Sequence, residues 1–199
     1  MKNTQRRDSI FLGPHFSSRL KKTWVVGLLF GVVTIAAVAH AAITTSGPNK
    51  FMFSADGPAG FKIEGKGSGL KVTEQGGKVV VSAPLSTVKT GIDTRDSHFR
   101  KALKSDAHPD VVLSVAMSDL KFPADNKKEQ STANGHLKIA GKEKPVKFSY
   151  SVKRTGYDYH IQAQTKIDYT HFVEKQCYLK ICVDPPVEIK AIFKITKPD

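Results

Sequence analysis

The chain alternates apolar and polar side chains with a period of two over three long runs, residues 146–152, 157–167 and 187–195. A period of two is the pattern of β-strands that bury one face. Glycine, proline, asparagine and aspartate stand between the apolar segments and favour turns for steric reasons. Shorter segments with the same β-branched and aromatic character are residues 51–55, 70–74, 78–85, 111–117 and 135–139.

About eight short strands separated by turns predict an all-β antiparallel sandwich or barrel. The inward face of each strand stays open, because a shift of one residue in register inverts the assignment. Ala83, Ala163, Thr165 and Ala191 are small residues at candidate inward positions. Bulky residues would be needed there to fill a barrel, so the small ones predict space for a guest molecule.

Residues 93–103 break the alternation and predict a short helix. Asp93 or Thr94 is the expected N-cap, and Phe99 and Leu103 share one face at the i, i+4 spacing. An isolated helix of this length is marginal in water. We therefore expect it to dock on the β domain through its apolar pair.

The first 41 residues have the composition of a secretory signal peptide. A basic segment precedes an apolar run over residues 24–38, and Ala39-His40-Ala41 fits a small-x-small cleavage site. An uncleaved anchor is the alternative, because the run extends toward the ~20 residues that span a bilayer. Removal of these 41 residues from the 199 leaves 158, which is the length of one domain.

The domain left after cleavage is basic. The first 41 residues hold six of the 31 Lys and Arg residues and one of the 18 Asp and Glu residues, so a net charge of +8 remains. A positive exported protein is attracted to anionic surfaces such as lipid headgroups, which makes an anionic membrane surface a candidate partner. The lysines are scattered and do not alternate with aromatic residues, so the pattern favours a solvated surface and no nucleic-acid partner.

Cys177 and Cys182 are the two cysteines of the chain. Four intervening residues allow a closed loop, and an oxidising compartment would join the pair in a disulfide. A metal site is the alternative, but these cysteines supply two ligands where structural zinc needs four. His171 adds at most one more ligand, and the CxxCH motif of haem attachment is absent.

Two motifs, in residues 89–111 and in residues 135–146, resemble in this order the signature of the YceI-like family of periplasmic proteins. Residues 89–99, followed by residues 106–111, match a helix motif with Asp-Thr, Arg-Asp and His, in which Phe99 replaces the usual leucine and His108 the usual tyrosine. Residues 135–146 are similar to the family's Gly-x-Leu-x-Ile-x-Gly-x-x-x-Pro-Val hairpin. The chain departs from the family pattern near the C-terminus, in residues 167–182.

The resemblance implies an eight-stranded antiparallel lipocalin-like barrel with one short helix, formed by residues 42–199. It also implies a periplasmic binding protein that holds an isoprenoid or another amphiphilic lipid inside the barrel, for carriage, storage or sequestration. The residues expected to contact the apolar chain are Phe99, Leu103, Phe148, Tyr150, Val152, Tyr159, Ile161 and Ala163. The residues expected near a headgroup are Arg95, Arg100 and Lys101.

We expect neither catalysis nor a cofactor, because the sequence has no nucleophile elbow, zincin helix or phosphate-binding loop. Arg95 and Asp96 are expected to form a structural ion pair that fixes the helix. Two alternatives to the carrier stay open: an enzyme that acts on an amphiphile, and a structural envelope protein with a filled barrel. The enzyme would need a polar pair deep in the cavity.

Overall fold

The computed structural model describes residues 43–57, 60–178 and 181–197. The predicted signal peptide, residues 1–41, lies outside the described residues. Within them, no helix combines the length and the apolar character that a membrane crossing requires. The helix is α1 (Asp93–Ala102), and the strands are β1 (Thr44–Asp56), β2 (Lys62–Ser68), β3 (Lys71–Gln75), β4 (Lys78–Pro84), β5 (Asp110–Ala116), β6 (Lys128–Ile139), β7 (Lys142–Thr155), β8 (Asp158–Ile167), β9 (Cys177–Tyr178), β10 (Ile181–Cys182) and β11 (Asp184–Thr196).

Nine of these strands form one antiparallel sheet in the order β2-β1-β11-β8-β7-β6-β5-β4-β3. The strands β9 and β10 form a separate hairpin just before β11. The predicted fold class is confirmed, since the described chain is a curled antiparallel sheet with one short helix. The sheet has nine strands where the sequence predicted eight.

Within the nine-stranded sheet, the strand that sequence analysis did not predict is β2, which has glycine at two successive positions of one face. A Cβ added at Gly65 would lie 2.3 Å from Cε1 of Phe53, and one added at Gly67 would lie 2.3 Å from Cζ of Phe51. The two phenylalanine rings of β1 therefore cover the backbone of β2 where its own side chains would stand. Because β2 lacks apolar side chains at these positions, it shows no apolar alternation.

Side-chain hydrogen bonds connect β1 to the start of β3, where the sheet curls toward closure. The amide of Val72 donates to Oγ1 of Thr45 at 2.7 Å. The side chain of Asn49 accepts from the amide of Leu70 at 2.7 Å and donates to its carbonyl at 3.2 Å. These bonds satisfy backbone groups at an edge of the sheet that has no neighbouring strand in the ladder.

The helix α1 begins one residue after Ile92, which is the N-cap and makes no side-chain cap hydrogen bond. The expectation of an N-cap at Asp93 or Thr94 is therefore wrong. The backbone of Ile92 is still extended, with φ −134° and ψ 113°, so Asp93 and Thr94 already belong to the first turn. Asp93 still favours the helix start, because a carboxylate there faces the positive end of the helix dipole.

Candidate functional site

The sheet encloses a cavity of about 1100 Å³ whose lining is mostly apolar. Side chains from the edge strand β2, from Leu70 just before the other edge strand, from the central strands and from α1 line the cavity. Ile92 is 52% exposed and lines the cavity, so the cavity opens to solvent beside the start of α1.

The three neighbouring strands β7, β8 and β11 carry both the cavity wall and a solid core. One end of these strands is filled by packed side chains and is called the packed end here: Tyr150, Val152, Tyr159, Ile161, Phe193 and Ile195. The other end lines the cavity and is called the cavity end: Val146, Phe148, Ala163, Thr165, Ile167, Val187, Ile189 and Ala191.

Small residues make the difference between the two ends. Ala163 of β8 pairs with Ala191 of β11, while two residues away Ile161 pairs with Phe193. Ala83 and Thr165 also line the cavity. The four small residues that sequence analysis placed at candidate inward positions therefore all lie in the cavity wall.

The helix α1 covers the cavity with the apolar pair that the sequence predicted. The ring of Phe99 stacks on the ring of Phe53 of β1, with centroids 4.9 Å apart and planes 4° from parallel. Leu103 packs with the apolar residues of the cavity end, and both Phe99 and Leu103 line the cavity. The helix is thus anchored on the wall of the cavity that it covers.

The residues expected to contact an apolar chain divide between the two ends. Phe99, Leu103, Phe148 and Ala163 line the cavity. The remaining four lie at the packed end: Tyr150, Val152, Tyr159 and Ile161. The hydroxyl of Tyr150 accepts a hydrogen bond from the amide of Lys121 at 2.7 Å, so this polar group has a partner within the fold.

A polar anchor holds the start of α1 against the preceding segment. Asp96 is 1% exposed, and its carboxylate accepts from the amide of Thr90 at 2.7 Å and from the hydroxyl of Thr90 at 2.5 Å. The hydroxyl and the amide of Thr90, together with Lys89 at 3.7 Å, hold the pKa of Asp96 below its usual value. Arg95 donates from Nη2 to the carbonyl of Thr90 at 2.5 Å. The expected Arg95–Asp96 ion pair is therefore wrong: both side chains bind Thr90, and the cation beside Asp96 is Lys89.

Two of the three residues expected near a headgroup line the cavity. Arg95 and Lys101 belong to the lining, and Arg100 does not. His98, from the same helix, also lines the cavity. The basic groups of the cavity therefore come from α1.

The disulfide between Cys177 and Cys182 joins β9 to β10, and the predicted pairing is confirmed. Both cysteines line the cavity. Tyr169, which also lines it, donates its hydroxyl to the carbonyl of Val183 at 2.7 Å and accepts from the amide of Gln176 at 3.1 Å. The crosslinked hairpin is thus tied to the cavity wall on both of its sides.

Several lining residues were not predicted from the sequence. Tyr169, Phe172 and Val173 follow β8 in a short 3-10 turn and an irregular segment, where no hydrophobic period exists to detect. Val187 and Ile189 alternate with polar residues at the start of β11, so their period was a usable signal. In the described part of the chain, no group of three or more His, Cys, Asp or Glu residues is placed to hold a metal ion.

An antiparallel sheet curled around an apolar interior is the architecture of small barrels that hold one ligand. The chain matches the YceI-like domain model over residues 36–195. It belongs to the YceI-like family. No curated protein matches the sequence.

Solved structures with a similar fold include the following two. A polyisoprenoid-binding domain from Saccharophagus degradans, implicated in plant cell wall breakdown, is similar at a TM-score of 0.65 and 14% identity, over 80% of this chain and 100% of that one. BcnA of Burkholderia cenocepacia is similar at a TM-score of 0.57 and 14% identity, over 73% of this chain and 95% of that one.

Proposed function

We propose that this protein binds the apolar chain of an isoprenoid or a related amphiphile inside the curled sheet and serves to carry, store or sequester it. The cavity carries this proposal. Its volume of about 1100 Å³ is slightly larger than the usual volume of ligand sites, which is about 300–1,000 Å³. Each buried CH₂ group of a guest contributes about 0.8 kcal/mol before the cost of ordering, so a long chain would bind firmly.

The similar structures support the isoprenoid class of ligand. One of them is named as a polyisoprenoid-binding domain, and this chain covers all of it. At 14% identity the likeness extends to the fold, so the isoprenoid ligand is a proposal for this chain. The small residues Ala163 and Ala191 at the cavity end are this chain's own support for a guest inside the sheet.

We further propose that residues 1–41 direct export and are removed, which leaves residues 42–199 in the periplasm. The Cys177–Cys182 disulfide supports export, because such bonds persist in oxidising compartments. The intact mass of the protein from an envelope fraction tests this step. A species that retains residues 1–41 and resists carbonate extraction would identify an anchored protein instead.

The two alternatives have less support. A filled barrel conflicts with a cavity of this size. An enzyme would need a polar pair deep in the cavity, and the described lining contains no carboxylate that could act with His98. Turnover of an added amphiphile by the purified protein would favour the enzyme.

Native mass spectrometry and solvent extraction of the protein purified from its own envelope test the carrier. We expect a stoichiometric lipid-like adduct in the wild type and its loss in Ala163→Phe, because the larger side chain fills the cavity end. Gln162→Phe is the matched control, since Gln162 is the exposed neighbour on the opposite face of β8. Wild-type protein that is empty and also fails to take up isoprenoids or fatty acyl chains would reject the proposal.

A further inference from the structure

Arg95 carries a buried atom that the fold does not satisfy. Its Nε is the one buried side-chain nitrogen or oxygen among the described residues that has no hydrogen-bond partner. Buried polar groups in proteins are nearly always hydrogen-bonded, and an exception calls for a ligand, an ion or a water molecule as the partner. Arg95 lines the cavity, so a molecule inside the cavity would meet its guanidinium group.

The fold fixes the position of this guanidinium group. Its Nη2 donates to the carbonyl of Thr90 at 2.5 Å. Thr90 is itself held by Asp96, which accepts from both the amide and the hydroxyl of Thr90. Since Nη2 is bound to the backbone of Thr90, and Thr90 is bound to Asp96, these hydrogen bonds orient the Nε–H before any ligand arrives. A positioned guanidinium group binds carboxylate or phosphate at a smaller entropic cost than a free one.

The charges of the cavity all have one sign. Arg95 and Lys101 line it, and no aspartate or glutamate belongs to the lining within the residues that the structure describes. Asp96, the acidic group nearest along the chain to Arg95, is turned to Thr90 and Lys89. A cationic group with no acidic partner in an apolar cavity favours an anionic guest.

We propose that the guest ends in an anionic group, a carboxylate or a phosphate, which accepts a hydrogen bond from Arg95 Nε while Lys101, an exposed residue of the lining, adds positive charge. This inference rests on the proposed binding of an apolar chain and adds the chemistry of its head. Hydrogen bonds to ionised groups are stronger than those to neutral groups, so an acid should bind better than the alcohol with the same chain.

The test compares matched pairs of ligands on protein stripped of bound lipid. The pairs are hexadecanoic acid with hexadecanol, and geranylgeranyl phosphate with geranylgeraniol. Displacement of the neutral probe N-phenyl-1-naphthylamine reports each Kd. We expect the anionic member of a pair to bind about ten- to hundredfold more tightly, since one charged hydrogen bond has this effect. The pair with the larger ratio between the Kd values of its alcohol and its acid indicates whether the site prefers a carboxylate or a phosphate.

Variants of α1 assign the preference to a residue. Arg95→Gln should abolish the preference for the acid and leave the affinity for the alcohol within about twofold. Lys101→Gln should reduce the preference by a smaller factor, because its side chain is exposed. Arg100→Gln is the matched control, since Arg100 lies on the same helix outside the lining. If Arg95→Gln does not fold, the acid and alcohol affinities of the wild type and of Lys101→Gln still show whether the cavity prefers an anionic head.

The outcomes separate this inference from the proposed function. Equal binding of acid and alcohol by the wild type would overturn the anionic head and leave the carrier intact, and water would then be the partner of Arg95 Nε. Failure of the wild type to bind any of the four ligands would overturn both the anionic head and the proposed carrier function. A preference that persists in Arg95→Gln and disappears in Arg100→Gln would also contradict the assignment.

Discussion

The packed end and the cavity end of the sheet are built by the same strands but from side chains of different size. Along β8, Tyr159 and Ile161 fill the packed end, and Ala163 and Thr165 follow them at the cavity end. The ladder between β8 and β11 runs without interruption from Val187–Ile167 to Thr196–Asp158. Backbone pairing between β8 and β11 is therefore alike at the two ends, and the small side chains of Ala163, Thr165 and Ala191 leave space at the cavity end.

The difference separates stability from binding. Side chains at the packed end touch one another at the density of a protein interior, so truncation there leaves a void. Side chains at the cavity end already face open volume, so moderate changes there alter the space for a guest. We expect the largest losses of stability from the packed end and the largest losses of ligand from the cavity end.

Tyr159→Ala should have the largest effect on stability, lowering the free energy of unfolding by about 3–5 kcal/mol. Tyr159 is 2% exposed, and its ring packs edge to face with the ring of Phe122, with the ring centroids 5.4 Å apart. Urea denaturation gives the value. Tyr157→Ala is the control, because Tyr157 is 59% exposed and its loss should change stability by less than about 0.5 kcal/mol.

The same variant tests whether the packed end takes part in binding. Ligand affinity of folded Tyr159→Ala should stay close to that of the wild type. A loss of ligand without a matching loss of stability would show that the cavity wall extends to the packed end, as the sequence alone had suggested for Tyr150, Val152, Tyr159 and Ile161.

Phe99→Ala should affect both properties. It removes the stacked contact with Phe53 and a wall of the cavity, so we expect a loss of about 2 kcal/mol, less than for a fully buried ring. The adduct in native mass spectrometry should weaken as well. Phe61→Ala is the control, because Phe61 is 61% exposed and lies outside the lining. Lower stability with unchanged binding would show that Phe99 packs in the core and does not take part in ligand binding.

Replacement of Cys177 and Cys182 by serine should cost about 2 kcal/mol, since the closed loop is short. The hairpin lines the cavity end, so we expect a faster release of ligand along with the lower stability. Thermal unfolding with and without reductant measures the first effect in the wild type. Alkylation of the native protein without reductant should label neither cysteine, and two reactive thiols would contradict the bond.

Periodicity predicted β7, β8 and β11 because their side chains alternate between core and solvent. It did not predict β2, whose inward positions are occupied by glycines under the rings of Phe51 and Phe53. A period of two indicates which face of a strand a side chain lies on. It does not indicate whether the side chain lies at the cavity end or at the packed end of that strand. For this reason Tyr159 was grouped with Ala163, although Tyr159 lies at the packed end and Ala163 lines the cavity. Tyr150 is the cross-strand partner of Ala163, but its side chain packs in the core and does not line the cavity.

The residues after β8 escaped prediction for another reason. Tyr169, Phe172 and Val173 lie in a turn and an irregular segment, and contacts distant in sequence fix them. The contribution of Thr90 was hidden too, because the neighbouring charges Arg95 and Asp96 suggested a pair with each other. Backbone carbonyl and amide groups can bind such side chains in place of a neighbouring charged residue, and the sequence does not show which partner is bound.

Acid should produce the smallest difference between the two ends, through Asp96 beside the cavity and Asp158 at the packed end, two of the aspartates whose pKa is lowered. Hydrogen bonds from Thr90 lower the pKa of Asp96 beside the cavity, and those from Lys194 and Thr196 lower that of Asp158 at the packed end. Each carboxylate therefore stabilises the fold above its unfolded pKa of about 3.9, and this stabilisation is lost as pH falls through the lower folded pKa. Asp96→Asn and Asp158→Asn should each reduce the slope with which the free energy of unfolding declines below about pH 4. The reduction corresponds to the uptake of at most one proton.

Only the helix anchor should connect this titration to the ligand. Protonation of Asp96 weakens its bonds to Thr90, and Thr90 holds both the start of α1 and the guanidinium group of Arg95. We therefore expect Asp96→Asn to weaken ligand binding at neutral pH, and Asp158→Asn to leave it unchanged. Urea titrations from pH 3 to 7, with probe displacement on the folded protein, measure both effects. A loss of ligand in Asp158→Asn alone would mean that the strands at the packed end, and not α1, control the cavity.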